Sequence, residues 1–285
     1  MSDIYIMIEN LKLDHLVINI KDEMDEAYKL FSQLGFSLTP RGFHSLGSIN
    51  HSMMFANDYL ELIGFPKGGI VKRPELKTAP LGINGLVFKS NDIDNTYSHL
   101  CKKGLDADPP RDFSRPVNFN NKQESAKFRT VNIRNNIFKA GRVYFCEHLT
   151  PELVWTKALR IHNNNCLEIK EIVLIDNDID AAVVNFLKLN NNIKVQKLKK
   201  SFNLLTQNVI LNMNNISNFK LRFNSIISKM IIRDSMFGAV VFKVKSLEFF
   251  NKLQNNKFTN IYINSKKNKT QIFLKEYNCV LEFVL

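Results

Sequence analysis

The feature that most constrains this 285-residue chain is an internal repeat. Four segments align without gaps: DHLVINIKDEMDEAYKLF from Asp14, NGLVFKSNDIDNTYSHL from Asn84, KEIVLIDNDIDAAVVNFL from Lys170 and GAVVFKVKSLEFFNKL from Gly238. Each copy must build the same supersecondary unit, so the repeat bounds the architecture before any single residue is read. Every copy opens with a short, largely β-branched or aromatic run, the composition of a buried strand. A polar corner follows, with Asp22, Asp92, Asp178 and Ser246 at the same place. A short side-chain oxygen there can accept a free amide of the first helical turn. The period then becomes helical: Met24, Ala27, Tyr28, Phe31 and Leu34 form one stripe, and Glu23, Glu26 and Lys29 face away. Gly35 and Gly104 suit left-handed ends of the first two helices, and Asn190 to Asn192 and Asn255 to Asn256 take that place in the others.

After each helix come strand-like runs: FSLTP, HSMMFA and DYLELIG; FRTVNI and RVYFCEH; VQKLKK and NVILNM; NIYIN, TQIFLK and CVLEFVL. The expected fold is therefore α+β, with four βαβββ modules paired into two domains, each with a curved mixed sheet around a cavity. The first domain spans about residues 1–160 and carries the candidate site. A degenerate second spans about 167–285, and HNNNC from His162 forms the linker.

Composition narrows the function classes. Hydrophobic content of 45% with 23% charged residues belongs to a folded protein. No apolar run approaches the roughly 18 residues of a membrane span. The opening MSDIYIMIENLKLDH lacks a basic region followed by an apolar stretch, so a cytoplasmic protein is expected. Four scattered cysteines without a CxxC pair read as small buried hydrophobes. Residues 186–285 hold 17 Lys or Arg against 4 Asp or Glu, whereas residues 1–185 hold 22 against 23. These basic residues come with asparagine runs, Ile and Phe, and with no RNA-binding or helix-turn-helix signature, so nucleic acid is not an expected partner.

The repeat, the opening LDHLVI and the DYLELIG strand together resemble the vicinal oxygen chelate superfamily, which includes glyoxalases, bleomycin resistance proteins and extradiol dioxygenases. LTPRGFHSLGSINH, FRTVNI, AGRVYFCEHLTPELVW and IHNNNCLEI resemble its glyoxalase-like branch of uncharacterised bacterial proteins. The likeness is specific over residues 11–175 and rests on the repeat alone beyond them. It implies two glyoxalase-like domains and ligands for a divalent metal (Fe, Mn, Zn or Ni) on the first and fourth strands of paired modules. Carried over, those positions offer His15, Glu61, and Glu147 or His148, with Gly85 where a second His or Gln would sit.

All six histidines fall in residues 1–162, so imidazole chemistry must sit in the first domain. His15 lies in a buried strand, as metal ligand or satisfied core residue. Glu61 lies between apolar neighbours, where a carboxylate is costly without a cation or donor. Tyr144, Cys146 and His148 share one strand face, and His148 is preferred over Glu147 because two imidazoles and a carboxylate leave a metal open positions; the alternative is a cap on the following TPEL. In TPRGFHSLGSINH, Arg41 and Asn50 are candidate substrate contacts, and His44 and His51 candidate proton carriers. Arg129 and His162 are further candidate substrate contacts, against surface and linker roles. Trp155 reads as packing or pocket wall, His99 as a helix surface residue. Glu171 and Glu282 hold ligand-like places in the second domain, without an imidazole. Two functions fit: a metal-assisted lyase, isomerase or dioxygenase acting on a small oxygen-rich molecule (carbonyl, enol or catechol-like), or a metal-free small-molecule binder. Paired modules are also compatible with a homodimer.

Overall fold

Strand, helix and three further strands recur four times in the computed structural model of the chain, which describes residues 10–69, 71–134, 137–254 and 258–285. The first copy is β1 (Leu13–Lys21), α1 (Met24–Gln33), β2 (Gly42–Phe43), β3 (Ile49–Met54) and β4 (Tyr59–Gly64). A short helix, α2 (Pro74–Thr78), leads to β5 (Gly82–Lys89), α3 (Ile93–Lys102), β6 (Arg111–Phe119), β7 (Lys122–Ile133) and β8 (Arg142–His148). Two 3-10 turns, Pro151–Leu153 and Lys157–Arg160, precede the third copy: β9 (Cys166–Asp176), α4 (Ile179–Leu187), β10 (Lys194–Lys197), β11 (Ser201–Leu205) and β12 (Ile210–Asn214). After α5 (Ile216–Phe223) come β13 (Ser235–Val244), α6 (Glu248–Leu253), β14 (Ile261–Lys266), β15 (Lys269–Leu274) and β16 (Cys279–Val284).

The strands form two eight-stranded curved mixed sheets, ordered β2-β3-β4-β1-β5-β8-β7-β6 and β10-β11-β12-β9-β13-β16-β15-β14. In the first, β1 and β5 run antiparallel at the centre, with β4 and β8 parallel to them on either side. The second repeats this around β9 and β13. The fold is thus α+β, with four βαβββ modules in two glyoxalase-like halves.

Local differences from the sequence reading have physical causes. FSLTP forms no strand, and β2 is only Gly42–Phe43. Strand β6 was not anticipated because Pro116 breaks its pattern; it lies at the sheet edge, where a missing N–H is tolerated. Asp92 and Asp178 cap α3 and α4 through the amides of Asn95 and Ala181, and Ser246 accepts from the Glu248 amide. Helix α1 instead starts after Glu23, without a side-chain cap bond, so Asp22 has no such role. Gly35 and Gly104 end α1 and α3 at φ +81° and +70°. At the end of α4, Asn190 instead accepts from the Asn192 amide, and neither takes a positive φ. The expectation for Asn255 and Asn256 lies outside the described residues.

Alternation along the strands decides which side chains meet the core. Leu16, Ile18, Leu60, Leu62, Leu86 and Phe88 point toward the helices and join a cluster that runs through both halves. Phe36 meets Phe242 and Phe283 there, with ring centroids 5.6 and 6.1 Å apart, and Phe138 meets Phe186 at 4.7 Å. The opposite parity is left for the other face of each sheet. Three cysteines are buried as expected, but Cys101 is exposed on α3. Among the described residues, no helix is long and apolar enough to cross a membrane.

Candidate functional site

The first sheet curves around a cavity of about 390 Å³. Its wall is the polar parity of the strands: His15 on β1, Asn50 and Ser52 on β3, Tyr59 and Glu61 on β4, Tyr144 and Cys146 on β8. Backbone register places His15 beside Tyr59 on the parallel strand. The imidazole stacks on that phenol, ring centroids 4.4 Å apart and 13° from parallel. His15 Nε2 lies 3.7 Å from Glu61 Oε2 and 3.5 Å from the Tyr144 hydroxyl. Glu61 Oε1 accepts a 2.6 Å bond from the Asn50 amide.

The other nitrogen of His15 is fixed from below. A register shift in β1 between Leu13 and His15 lets the adjacent Asp14 come close, and His15 Nδ1 donates to Asp14 Oδ2 at 2.7 Å. Proton placement on Nδ1 leaves Nε2 with a lone pair facing the cavity. The same Asp14 oxygen accepts from His148 Nε2 at 3.0 Å. Burial would raise the Asp14 carboxyl, but His148 and His15 outweigh it and hold it well below the usual carboxylate range.

The His15, Glu61 and His148 set is therefore not a single constellation. The structure brings His15 and Glu61 together but turns His148 to Asp14, between the rings of Phe128 and Trp155. Among the described residues, the donors that converge within 4.8 Å of one another are Asp14, Cys146 and His148. Asp14 Oδ1 and His148 Nδ1 are buried without hydrogen-bond partners. Burial, with Asp14 and Glu61 close by, pushes the Cys146 thiol well above its ordinary range, so it stays protonated unless a cation takes it. A buried carboxylate whose Oδ1 is met only by Lys89 Nζ at 3.9 Å, a buried imidazole and a thiol, with donor atoms that converge, make a set that fits a divalent metal. Glu147 is engaged elsewhere, where its Oε2 accepts from the Ile93 amide at the start of α3.

Gly85 holds the place of the missing fourth ligand. A Cβ there would stand 2.9 Å from Val17 Cβ and 3.5 Å from Arg142 Nη2. Val17 crowds that position, and the Arg142 guanidinium stands at ordinary contact distance from it.

The remaining candidates divide by strand parity. Asn50 and His44 face the cavity; His44 Nδ1 bonds the Ser48 hydroxyl at 2.8 Å, and burial pushes its imidazole down to about 4. His51 does not: it points from β3 toward α1, under the Tyr28 ring, with Nδ1 bonded to the Thr39 carbonyl at 2.7 Å. Arg41 lies with it in that outer groove and pairs with Asp25, so neither reaches the cavity. Arg129 alternates outward on β7, forked on Asp94 at 2.7 and 3.1 Å and bonded to Asp112. His162 is a satisfied core residue: Nδ1 accepts from the Ser37 amide and Nε2 donates to the Met54 carbonyl. Trp155 packs beside the site, edge-on to Tyr59, with Lys89 Nζ 4.0 Å over its ring.

Sequence reasoning missed Asp14, Cys146 and Arg142. Two of these had a readable signal, because Arg142 and Cys146 share the parity of Tyr144 and His148 on β8. Asp14 had none, since regular alternation would send it away from His15.

The second sheet fills its equivalent face from within. Arg222 on α5 donates to Glu171 at 2.6 and 3.3 Å and to Glu282 at 2.6 Å, and Glu282 also accepts from Lys269 and Gln271. Both ligand-like carboxylates are consumed in this network.

The glyoxalase-like domain family matches the chain over residues 13–189. No curated protein matches it by sequence. Among solved structures, a hypothetical protein from Staphylococcus aureus superposes with a TM-score of 0.66 at 13% identity, over 96% of this chain and 98% of that one. A mutant of 4-hydroxymandelate synthase from Streptomyces coelicolor gives 0.54 at 9% identity, over 97% and 93%. A xylose isomerase-like TIM barrel/4-hydroxyphenylpyruvate dioxygenase fusion protein gives 0.57 at 10% identity, over 96% of this chain and 49% of that one. At these identities the likeness establishes the fold.

Proposed function

Because the chain belongs to the glyoxalase-like domain family, we propose that it is a metal-assisted enzyme acting on a small oxygen-rich molecule, of the carbonyl, enol or catechol kind, in the cavity of the first sheet. The observation that carries this reading is His15: one nitrogen held by Asp14, the other open to the cavity 3.7 Å from Glu61. An imidazole fixed in this way can take a proton at Nε2, and Asp14 and Glu61 both stabilise the imidazolium that results. The Tyr144 hydroxyl, 3.5 Å away, is placed to donate to an oxygen that gains charge as the proton leaves. Burial raises the Tyr144 phenol above its ordinary range and keeps it a donor. Asp14, Cys146 and His148 would hold the ion, and of Fe, Mn, Zn and Ni a carboxylate, a thiolate and an imidazole suit Zn best. A divalent ion supplies Lewis-acid polarisation of substrate oxygens when bound. Lyase and isomerase reactions use these elements with Zn, whereas a dioxygenase reaction would require a redox-active ion such as Fe or Mn in the same donors.

A second reading, a metal-free binding protein, is favoured by one specific observation: the packing of Val17 and Arg142 over Gly85. Elemental analysis of untagged protein, before and after incubation with Zn²⁺, separates the two. The metalloenzyme should carry about one ion per chain, with affinity lowered at least roughly 100-fold in His148→Ala and Cys146→Ser and less, roughly 10-fold, in His15→Ala, which loses only the bond that orients Asp14. Folded wild-type protein that takes up no metal would leave the binding protein as the surviving reading.

A further inference from the structure

Arg142 opens β8 on the cavity face, with its backbone paired to Gly85. Its guanidinium lies over that glycine and 5.6 Å from the Tyr144 ring centroid. Its Nε and Nη2 are buried and have no hydrogen-bond partner. An arginine cannot shed its proton to escape this, so the buried donors retain their full charge. Buried charged donors without acceptors are rare in folded chains and call for a ligand that completes them.

The surrounding groups do not complete them. Glu61 is engaged by Asn50 and His15, and Glu75 by Arg73. Arg115, also on the cavity wall, has no carboxylate within ion-pair distance among the described residues. Toward the His148 end of β8, Phe113 and Phe128 stack with centroids 4.9 Å apart and line the same cavity, giving an apolar wall. A small polar cation site beside an aromatic wall discriminates by charge at one end and by flat apolar shape along the other.

We infer that the molecule taken by this cavity is a small organic acid, with its carboxylate seated on Arg142 and its apolar body turned toward the Phe113 and Phe128 wall. The inference rests on the proposed function for the reacting end: Tyr144 lies between Arg142 and His15, so an acid anchored on the arginine presents its remaining oxygens toward His15 and Glu61. A guanidinium forks onto a carboxylate with two parallel bonds, which fixes orientation as well as charge. Arg142 is thus a specificity-determining residue.

Calorimetric titration with benzoate and with benzamide, its neutral counterpart of the same shape, tests the assignment. The wild-type protein, measured before and after EDTA treatment, should bind benzoate at least about 10-fold more tightly than benzamide in both states. In Arg142→Met that preference should disappear through a loss of benzoate affinity. Without ligand, Arg142→Met should melt at or above the wild-type temperature, because it removes a buried unpaired charge. Equal affinities for the two probes in wild-type protein, no benzoate binding up to about 10 mM, a preference that survives Arg142→Met, or one that vanishes with EDTA would each overturn the inference. Benzoate binding retained in His15→Ala and in protein that takes up no metal would uphold the acid site while the metalloenzyme reading fails.

Discussion

Replacing Arg222 by methionine is expected to cost about 3–5 kcal/mol, the usual penalty for removing one partner of a buried charge cluster. In a chain of this size that is a fall in melting temperature of roughly 6–20 °C. The variant leaves Glu171 without its guanidinium and Glu282 with only Lys269 and Gln271. Glu282 has almost no exposed surface, so water cannot replace the lost bonds. Burial would raise its carboxyl, but Arg222 outweighs that and lowers it, so its stabilising contribution is present above the ordinary carboxylate pKa and is lost as pH falls. The deficit of Arg222→Met should therefore be greatest near neutral pH and shrink toward about pH 4. Adding Glu171→Leu and Glu282→Leu should recover most of the loss, since an apolar cluster of similar volume replaces the ion network. Thermal unfolding followed by circular dichroism measures all three quantities. A single variant within about 2 °C of wild type would mean that the network contributes nothing net.

That network also explains why the two halves differ despite one architecture. In the first, the face of the sheet is lined by His15, Glu61 and Arg142 around open space; in the second, a helix side chain closes the same place. The repeat made the architecture readable, because helical and strand periods recur in the same order four times. The cavity partners His15 and Glu61 were readable too, as polar residues within otherwise apolar buried strands. Parity is also where the reading failed. His51, a candidate proton carrier, lies on the parity of β3 opposite to Asn50 and Ser52, which face the cavity, and so meets Tyr28 on α1 instead. Arg129 sits between two inward residues, Phe128 and Thr130, and so faces out. Arg222 was invisible because α5 lies in a connection between copies, where the repeat gives no guidance. Asp14 was hidden by the register shift that brings it to His15 and His148, a departure from regular pleating that no periodicity announces.

Asp58→Asn should flatten the dependence of stability on pH between about 4 and 7. Asp58 lies in the turn between β3 and β4, where Oδ1 accepts from the Ile169 amide at 3.1 Å and Oδ2 meets the Asn208 amide at 3.5 Å. Asn208 in turn pairs with both backbone groups of Leu13, so the carboxyl sits in the joint between the two halves. Burial, with a backbone bond only partly offsetting it, pushes this carboxyl up to about 7. A raised folded-state pKa means that folding favours the neutral acid. The contribution is complete below the ordinary carboxylate pKa and is lost as pH rises through about 7. About three units of difference correspond to about 4 kcal/mol, reached on the alkaline side of that window. The substituted side-chain amide keeps an acceptor for Ile169 and carries no charge, so the variant should match wild type near pH 4 and exceed it above about pH 7. Asp14 acts in the opposite sense and in a separate window: its carboxyl is held low, so its contribution fails only as pH drops below the ordinary range. Urea unfolding midpoints at intervals between about pH 2.5 and 8.5 distinguish the two groups. Parallel profiles for wild type and Asp58→Asn would show that Asp58 is ionised in the folded protein. Converging acid limbs with a separation that grows through neutrality would place a protonated carboxyl at the joint that holds β1, and with it His15, against the second sheet.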